Sequence, residues 1–120
     1  MKIIDTKTHG YIDYIMGIFL IASPSLFNLN MNGIESIVFY FAGGTVILYS
    51  LLTNYELGLI KVIPMQGHLI LDILSGIFLA ASPWLFGFED IVYRPHLILG
   101  ILEIGAALMT SSKPRTEIGI

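Results

Sequence analysis

Apolar residues run along the chain in four stretches, at about 9–28, 35–54, 66–87 and 92–111, with short polar clusters between them. An α-helix needs about 20 such residues to cross the hydrocarbon core of a bilayer, and each stretch comes close to that length. The clusters between them read as turns. Residues 28–33 (NLNMNG) join the first two stretches and residues 87–94 the last two, after which Pro95 takes a first-turn position that proline tolerates. Within each stretch the small and polar residues recur at helical spacing on one face. These stripes are His9, Asp13, Gly17, Leu20 and Pro24 in the first stretch, and Ser36, Tyr40, Gly43, Ile47, Ser50 and Asn54 in the second. In the third they are His68, Asp72, Gly76, Leu79 and Pro83, and in the fourth His96, Gly100, Glu103, Ala107 and Thr110. Ile, Leu and Phe dominate the remaining faces, whereas the helices of a soluble bundle keep one face polar. The pattern therefore predicts an all-α, four-transmembrane-helix bundle, with the small-residue stripes as the contacts between helices.

The pattern is also duplicated. Residues 2–28 align with 61–87 at a constant offset of 59, with 13 of 27 positions identical, among them His9/His68, Asp13/Asp72 and Gly17/Gly76. A period near sixty suits a repeated helical hairpin. The expected organisation is one integral membrane domain over 1–120, with repeat 1 at 2–57 and repeat 2 at 61–115. Each repeat holds two helices, so both copies enter from the same side and are related by an axis along the membrane normal. The first stretch follows Lys2 and Lys7 and contains Ala22-Ser23, as a signal peptide would. Its twin deep in the chain, where no cleavage serves secretion, argues for a retained helix. The segments before the first and third helices align in part and are expected to lie along the inner interface as short apolar feet.

Composition agrees with a bilayer setting. Apolar residues make up 55 %, charged ones 12 %, and mean hydropathy is +0.80, against roughly 25 % charged in soluble domains. The net charge of −3 carries no basic cluster, which excludes a nucleic-acid partner, and the absence of cysteine excludes disulfides and thiol chemistry. Lys2, Lys7, Lys61, Lys113 and Arg115 fall on one side of the expected bundle, with only Arg94 on the other. The positive-inside rule then places both termini in the cytoplasm of a multi-pass cell-membrane protein. Trp84, Phe86, Phe88 and Tyr93 gather at the outer boundary, and Tyr11, Tyr14 and Tyr55 at the inner one, as aromatic belts do.

The run Ala81-Ser82-Pro83-Trp84-Leu85-Phe86-Gly87, preceded by Asp72 and Gly76, resembles the signature of the SPW-repeat integral membrane family. Its upstream copy, Ala22-Ser23-Pro24-Ser25-Leu26-Phe27, has serine in place of the tryptophan. The resemblance covers both hairpins. It implies a small bacterial or archaeal membrane protein and brings no catalytic residues. Physically, Pro24 and Pro83 each remove a helical hydrogen bond near the outer end, and the neighbouring serine can satisfy the freed carbonyl. Gly17, Pro24, Gly43, Gly76, Pro83, Trp84 and Gly100 are thus expected to serve packing.

His9, Asp13, His68, Asp72 and Glu103 are the groups whose depth needs explaining. A charge at the centre of a span costs about 2.5–3.5 kcal/mol on insertion scales, and such groups usually face the bundle interior with a partner. Two histidines and three carboxylates at similar depth suit protons or a divalent metal as cofactor. His96 is expected at the outer end, away from them. The same residues also support a structural reading, in which each histidine bonds the aspartate on its own helix and the polar stripes serve only packing and homo-oligomer assembly. A metal-dependent hydrolase would need a motif that is not present, so an enzymatic role is not favoured.

Overall fold

The computed structural model describes residues 3–113. Lys2, Arg115 and the outer limits of the two expected repeats lie outside them. Among the described residues there are four helices: α1 (Thr6–Leu26), α2 (Ile34–Leu51), α3 (Met65–Leu85) and α4 (Arg94–Leu108). Helix α1 packs along α2, α3 packs along α4, and the two hairpins meet chiefly through α2 and α3. The molecule is an all-α bundle of two tandem hairpins.

Local chemistry sets where each helix begins and ends. Asp5 caps α1, its carboxylate accepting the Thr8 N–H at 2.7 Å, so the helix starts three residues earlier than the apolar stretch. Pro24 and Pro83 sit in the last turns of α1 and α3, and both helices run two residues past them. Each helix then closes with its next residues in the same conformation, Asn28 at φ 54° and Gly87 at φ 72°. The N–H groups of Leu29 and Phe88 reach back to the carbonyls of Pro24 and Pro83, both at 2.8 Å. This is the left-handed helix stop that favours glycine and tolerates asparagine. Ser82 donates to the Leu79 carbonyl at 2.7 Å, the acceptor that Pro83 leaves free, while Ser23 donates to Phe19 at 2.8 Å, one residue earlier.

Two of the four helices, α2 and α3, are long and apolar enough to cross a membrane. Helix α1 matches α3 in length but begins with the polar run Thr6-Lys7-Thr8-His9. Helix α4 has only 15 residues, roughly 22 Å at 1.5 Å per residue.

The two hairpins are related by a pseudo-two-fold. Gly17 meets Gly43 in the first and Gly76 meets Gly100 in the second. A Cβ on Gly43 would stand 2.6 Å from the Gly17 carbonyl oxygen, and one on Gly100 would stand 2.5 Å from that of Gly76. The offset is 59 residues in α1 and α3 but 57 in α2 and α4, because two fewer residues separate Gly76 from Gly100 than separate Gly17 from Gly43. At one end of the bundle, here its base, Ile4 pairs with Thr110 and Ile63 pairs with Thr53 as isolated parallel bridges. Each foot thereby docks on the last turn of the other hairpin. The opposite end, the top, carries both turns. The core between them is built on Leu20, Val38, Phe39, Ala42, Leu79, Phe88 and Leu99.

Candidate functional site

His9 and His68 each lie one turn into their helix, four residues after the cap, and Asp13 and Asp72 follow one turn later. That spacing places all four on the buried face, and the pseudo-two-fold brings them together near the base. All are 0–2 % exposed. Four ligand atoms, one from each side chain, lie within 4.8 Å of one another. The shortest contacts cross between hairpins. His9 Nε2 is 2.6 Å from Asp72 Oδ2, and His68 Nε2 is 2.6 Å from Asp13 Oδ2. The contacts within a helix are longer, 3.1 Å for His9–Asp13 and 3.2 Å for His68–Asp72. Pairing of each histidine with the aspartate of its own helix, one of the arrangements the spacing allows, is therefore secondary to the crossed pairing. The two imidazoles meet edge to face, with centroids 5.5 Å apart.

Two threonines fix the rings. His9 Nδ1 lies 2.7 Å from Thr110 Oγ1, and His68 Nδ1 lies 2.7 Å from Thr53 Oγ1. Each threonine hydroxyl also lies 2.6 Å from a backbone carbonyl, that of Ala106 for Thr110 and that of Tyr49 for Thr53. A hydroxyl has one hydrogen to give. With it donated to the carbonyl, the oxygen accepts from the ring, so Nδ1 carries the hydrogen. A neutral ring then presents its Nε2 lone pair to a carboxylate, and at 2.6 Å a positive species has to lie between them. Two protons satisfy the two contacts. So does one divalent cation, and either balances the two carboxylates.

The donor set fits a metal of the zinc type, with imidazole nitrogen and carboxylate oxygen as ligands and a hydrogen-bonded outer shell on each histidine. Tetrahedral bonds of about 2.0–2.1 Å put neighbouring donors ~3.3 Å apart. The 3.1 and 3.2 Å contacts are close to that spacing. The crossed 2.6 Å contacts are hydrogen-bond lengths and would open by ~0.7 Å to admit the ion.

Glu103, expected in the same cluster, is 3 % exposed, but it is not one of the four converging groups, and its Oε2 has no hydrogen-bond partner. His96 is at the top, as the sequence places it. Its Nε2 donates to the Glu35 carbonyl at 2.9 Å and its ring stacks on Phe39 at 3.9 Å. Gly17, Gly43, Gly76 and Gly100 are at the helix crossings, Pro24 and Pro83 are buried in the final turns, and Trp84 is half exposed at the top, 5.6 Å from Tyr93.

The stripe read for α2 needs correcting. Ser36, Gly43 and Ser50 are buried and Ile47 packs on Gly17, but Tyr40 and Asn54 only flank the interface, while Tyr49 and Thr53 are inside it. Tyr49 donates its hydroxyl to Asp72 Oδ1. The 57-residue offset would have revealed Thr53 as the twin of Thr110. Tyr49 had no such signal, because its twin is Ala106.

A family model described as the SPW repeat domain matches residues 7–110. No curated protein and no solved structure matches the chain.

Proposed function

The chain belongs to the SPW repeat family, and from that premise we propose that its buried quartet is a cation site within the membrane, holding two protons or one divalent metal ion in their place. The supporting observation is the commitment of both Nδ1 atoms to threonine oxygens, which turns each Nε2 towards a carboxylate of the other hairpin. The ligands are His9, Asp13, His68 and Asp72, with Thr53, Thr110 and Tyr49 holding them in place. All four helices cross the bilayer in this reading, with α4 short enough to thin it locally. Lys7, Lys61 and Lys113 at the base put that end in the cytoplasm, and Arg94 marks the top.

The test is a zinc titration of the purified protein, stripped of metal in detergent, followed by calorimetry and elemental analysis. We expect one zinc per chain. His9→Gln and His68→Gln should each weaken binding by more than the roughly 10–100-fold that loss of a supporting residue costs. The proton arm is read from carboxyl infrared bands, which Asp13→Asn and Asp72→Asn should alter. A parent that takes up no metal, with bands unchanged by either substitution, would sink the proposal.

One observation favours a second reading. The crossed 2.6 Å contacts tie α1 to α3, two helices that otherwise touch little, so the quartet also acts as a clasp between hairpins. If the histidine variants lose their fold in detergent instead of only their cation, assembly is the quartet's role.

A further inference from the structure

Among the described residues, the base of the bundle is closed differently on its two sides. Thr6, Gly10 and Tyr14 follow one another at helical spacing along α1, and their twins on α3 are Met65, Leu69 and Ile73. On the α3 side those residues form an apolar plug with Ala107 and the Tyr55 ring. On the α1 side the closure is a strap, residues 54–58, held by polar tethers. Thr6 Oγ1 donates to Glu56 Oε1 at 2.5 Å, Tyr14 Oη donates to the Leu57 carbonyl at 2.9 Å, and Lys61 Nζ donates to the Tyr55 carbonyl at 2.6 Å. The strap presses Tyr55 over Gly10, where a Cβ would stand 2.7 Å from Tyr55 Cε2 and 2.6 Å from Leu57 Cδ1. The Tyr55 ring is fully buried, with its centroid 5.5 Å from that of His68.

Beneath the strap lie polar atoms that the fold does not satisfy. Tyr55 Oη and Ser50 Oγ are buried without a hydrogen-bond partner, and Tyr55 Oη sits beside the hydroxyls of Ser50 and of Tyr14, the last partly exposed. A buried orphan of this kind costs about 1–3 kcal/mol. Tyr55 thus stands between the partly exposed Tyr14 and the buried Ser50, with its ring against His68 of the quartet. Towards the top, two turns beyond Asp13 and Asp72, Leu20 and Leu79 pack with Phe39 in the apolar core, all fully buried.

We infer that the quartet exchanges its cation with the base only, along the Tyr14–Tyr55–Ser50 hydroxyls, and that residues 54–58 are the lid over this route with Tyr55 as its plug. The inference rests on the cation reading above, and the hydroxyl oxygens stand in for the ion's lost hydration as it passes. The chain has no native cysteine, so a single Ser50→Cys reports access directly. In lipid nanodiscs, a charged methanethiosulfonate reagent should label this thiol slowly in an otherwise unaltered chain. Adding Tyr55→Ala, or the milder Gly10→Ala that displaces the ring, should raise the rate by about tenfold or more, as expected when a local opening becomes the resting state. Leu20→Ala, at the opposite seal, should leave it unchanged. Equal rates with and without the lid substitutions, or the same acceleration from Leu20→Ala, overturn the inference. Zinc uptake measured on the same samples judges the cation reading separately, because labelling does not require the ion.

Discussion

Thr53 and Thr110 each have one hydroxyl hydrogen, and where it goes decides what the ring beside it can bind. Replacing either by valine keeps the shape and removes the acceptor, leaving a buried ring N–H unsatisfied at a cost of about 1–3 kcal/mol. We expect Thr53→Val and Thr110→Val each to lower the melting temperature and to weaken zinc binding about 10–100-fold, as losses in an outer shell do. Thr→Ser at the same positions should preserve both. Valine and serine variants that behave alike in melting and titration would remove the argument for the ring's protonation state. The histidines and aspartates were legible in the sequence because they recur together in a stretch of high identity. Thr110 stood on the stripe read for the fourth stretch with nothing to mark it as a histidine's partner, and Thr53 was passed over because its twin lies at the other offset. Crossing of the pairs between hairpins was also hidden, because helical spacing relates residues within one helix only.

At the level of the elements, close approach of backbones does the work that side chains do elsewhere. Gly100 has the Gly76 carbonyl at 2.5 Å and the Ala80 nitrogen at 2.6 Å from the place of its Cβ, whereas nothing lies within 4 Å of the corresponding position on Gly105. Both glycines sit in α4, so helix propensity affects them alike and only the crossing differs. Gly100→Ala should therefore destabilise the α3–α4 hairpin, since overpacking against backbone costs typically ~1–3 kcal/mol. Gly105→Ala should be neutral or stabilise by about 0.5–1 kcal/mol through lost chain entropy. Thermal unfolding in detergent separates the two, and equal shifts would mean that the crossing carries no strain. The stripes of α1, α3 and α4 were readable because glycine, histidine and carboxylate stand out among Ile and Leu. The α2 stripe was drawn slightly rotated. Its inward residues include Phe39, Val46 and Tyr49, apolar or aromatic side chains that composition cannot distinguish from lipid-facing ones. The lengths of α1 and α4 were likewise set by features outside the apolar pattern: Asp5 caps α1, and the second turn runs on to Tyr93, so that α4 begins only at Arg94.

For the whole molecule, the pseudo-two-fold separates what both hairpins share from what only one possesses. His9/His68, Asp13/Asp72 and Thr110/Thr53 obey it to within 0.1 Å in their shortest contacts, so four ligands and two supports form a closed, self-complementary set. Glu103 does not belong to that set, because its twin is Val46, 1 % exposed in the core. A carboxyl group with an unpartnered oxygen, beside two aspartates, burdens the fold unless it serves the site. Glu103→Val restores the symmetry with a side chain that the opposite hairpin already accommodates. If the quartet is complete without Glu103, this variant should melt higher than the parent, recovering part of the about 1–3 kcal/mol that an unsatisfied buried group costs, and should still bind one zinc per chain. Loss of zinc from a well-folded Glu103→Val protein would make Glu103 a fifth member and the site asymmetric. Symmetry thus makes a prediction that burial alone does not, since Glu103 and Asp13 are equally hidden from solvent and only one of them has a counterpart across the axis.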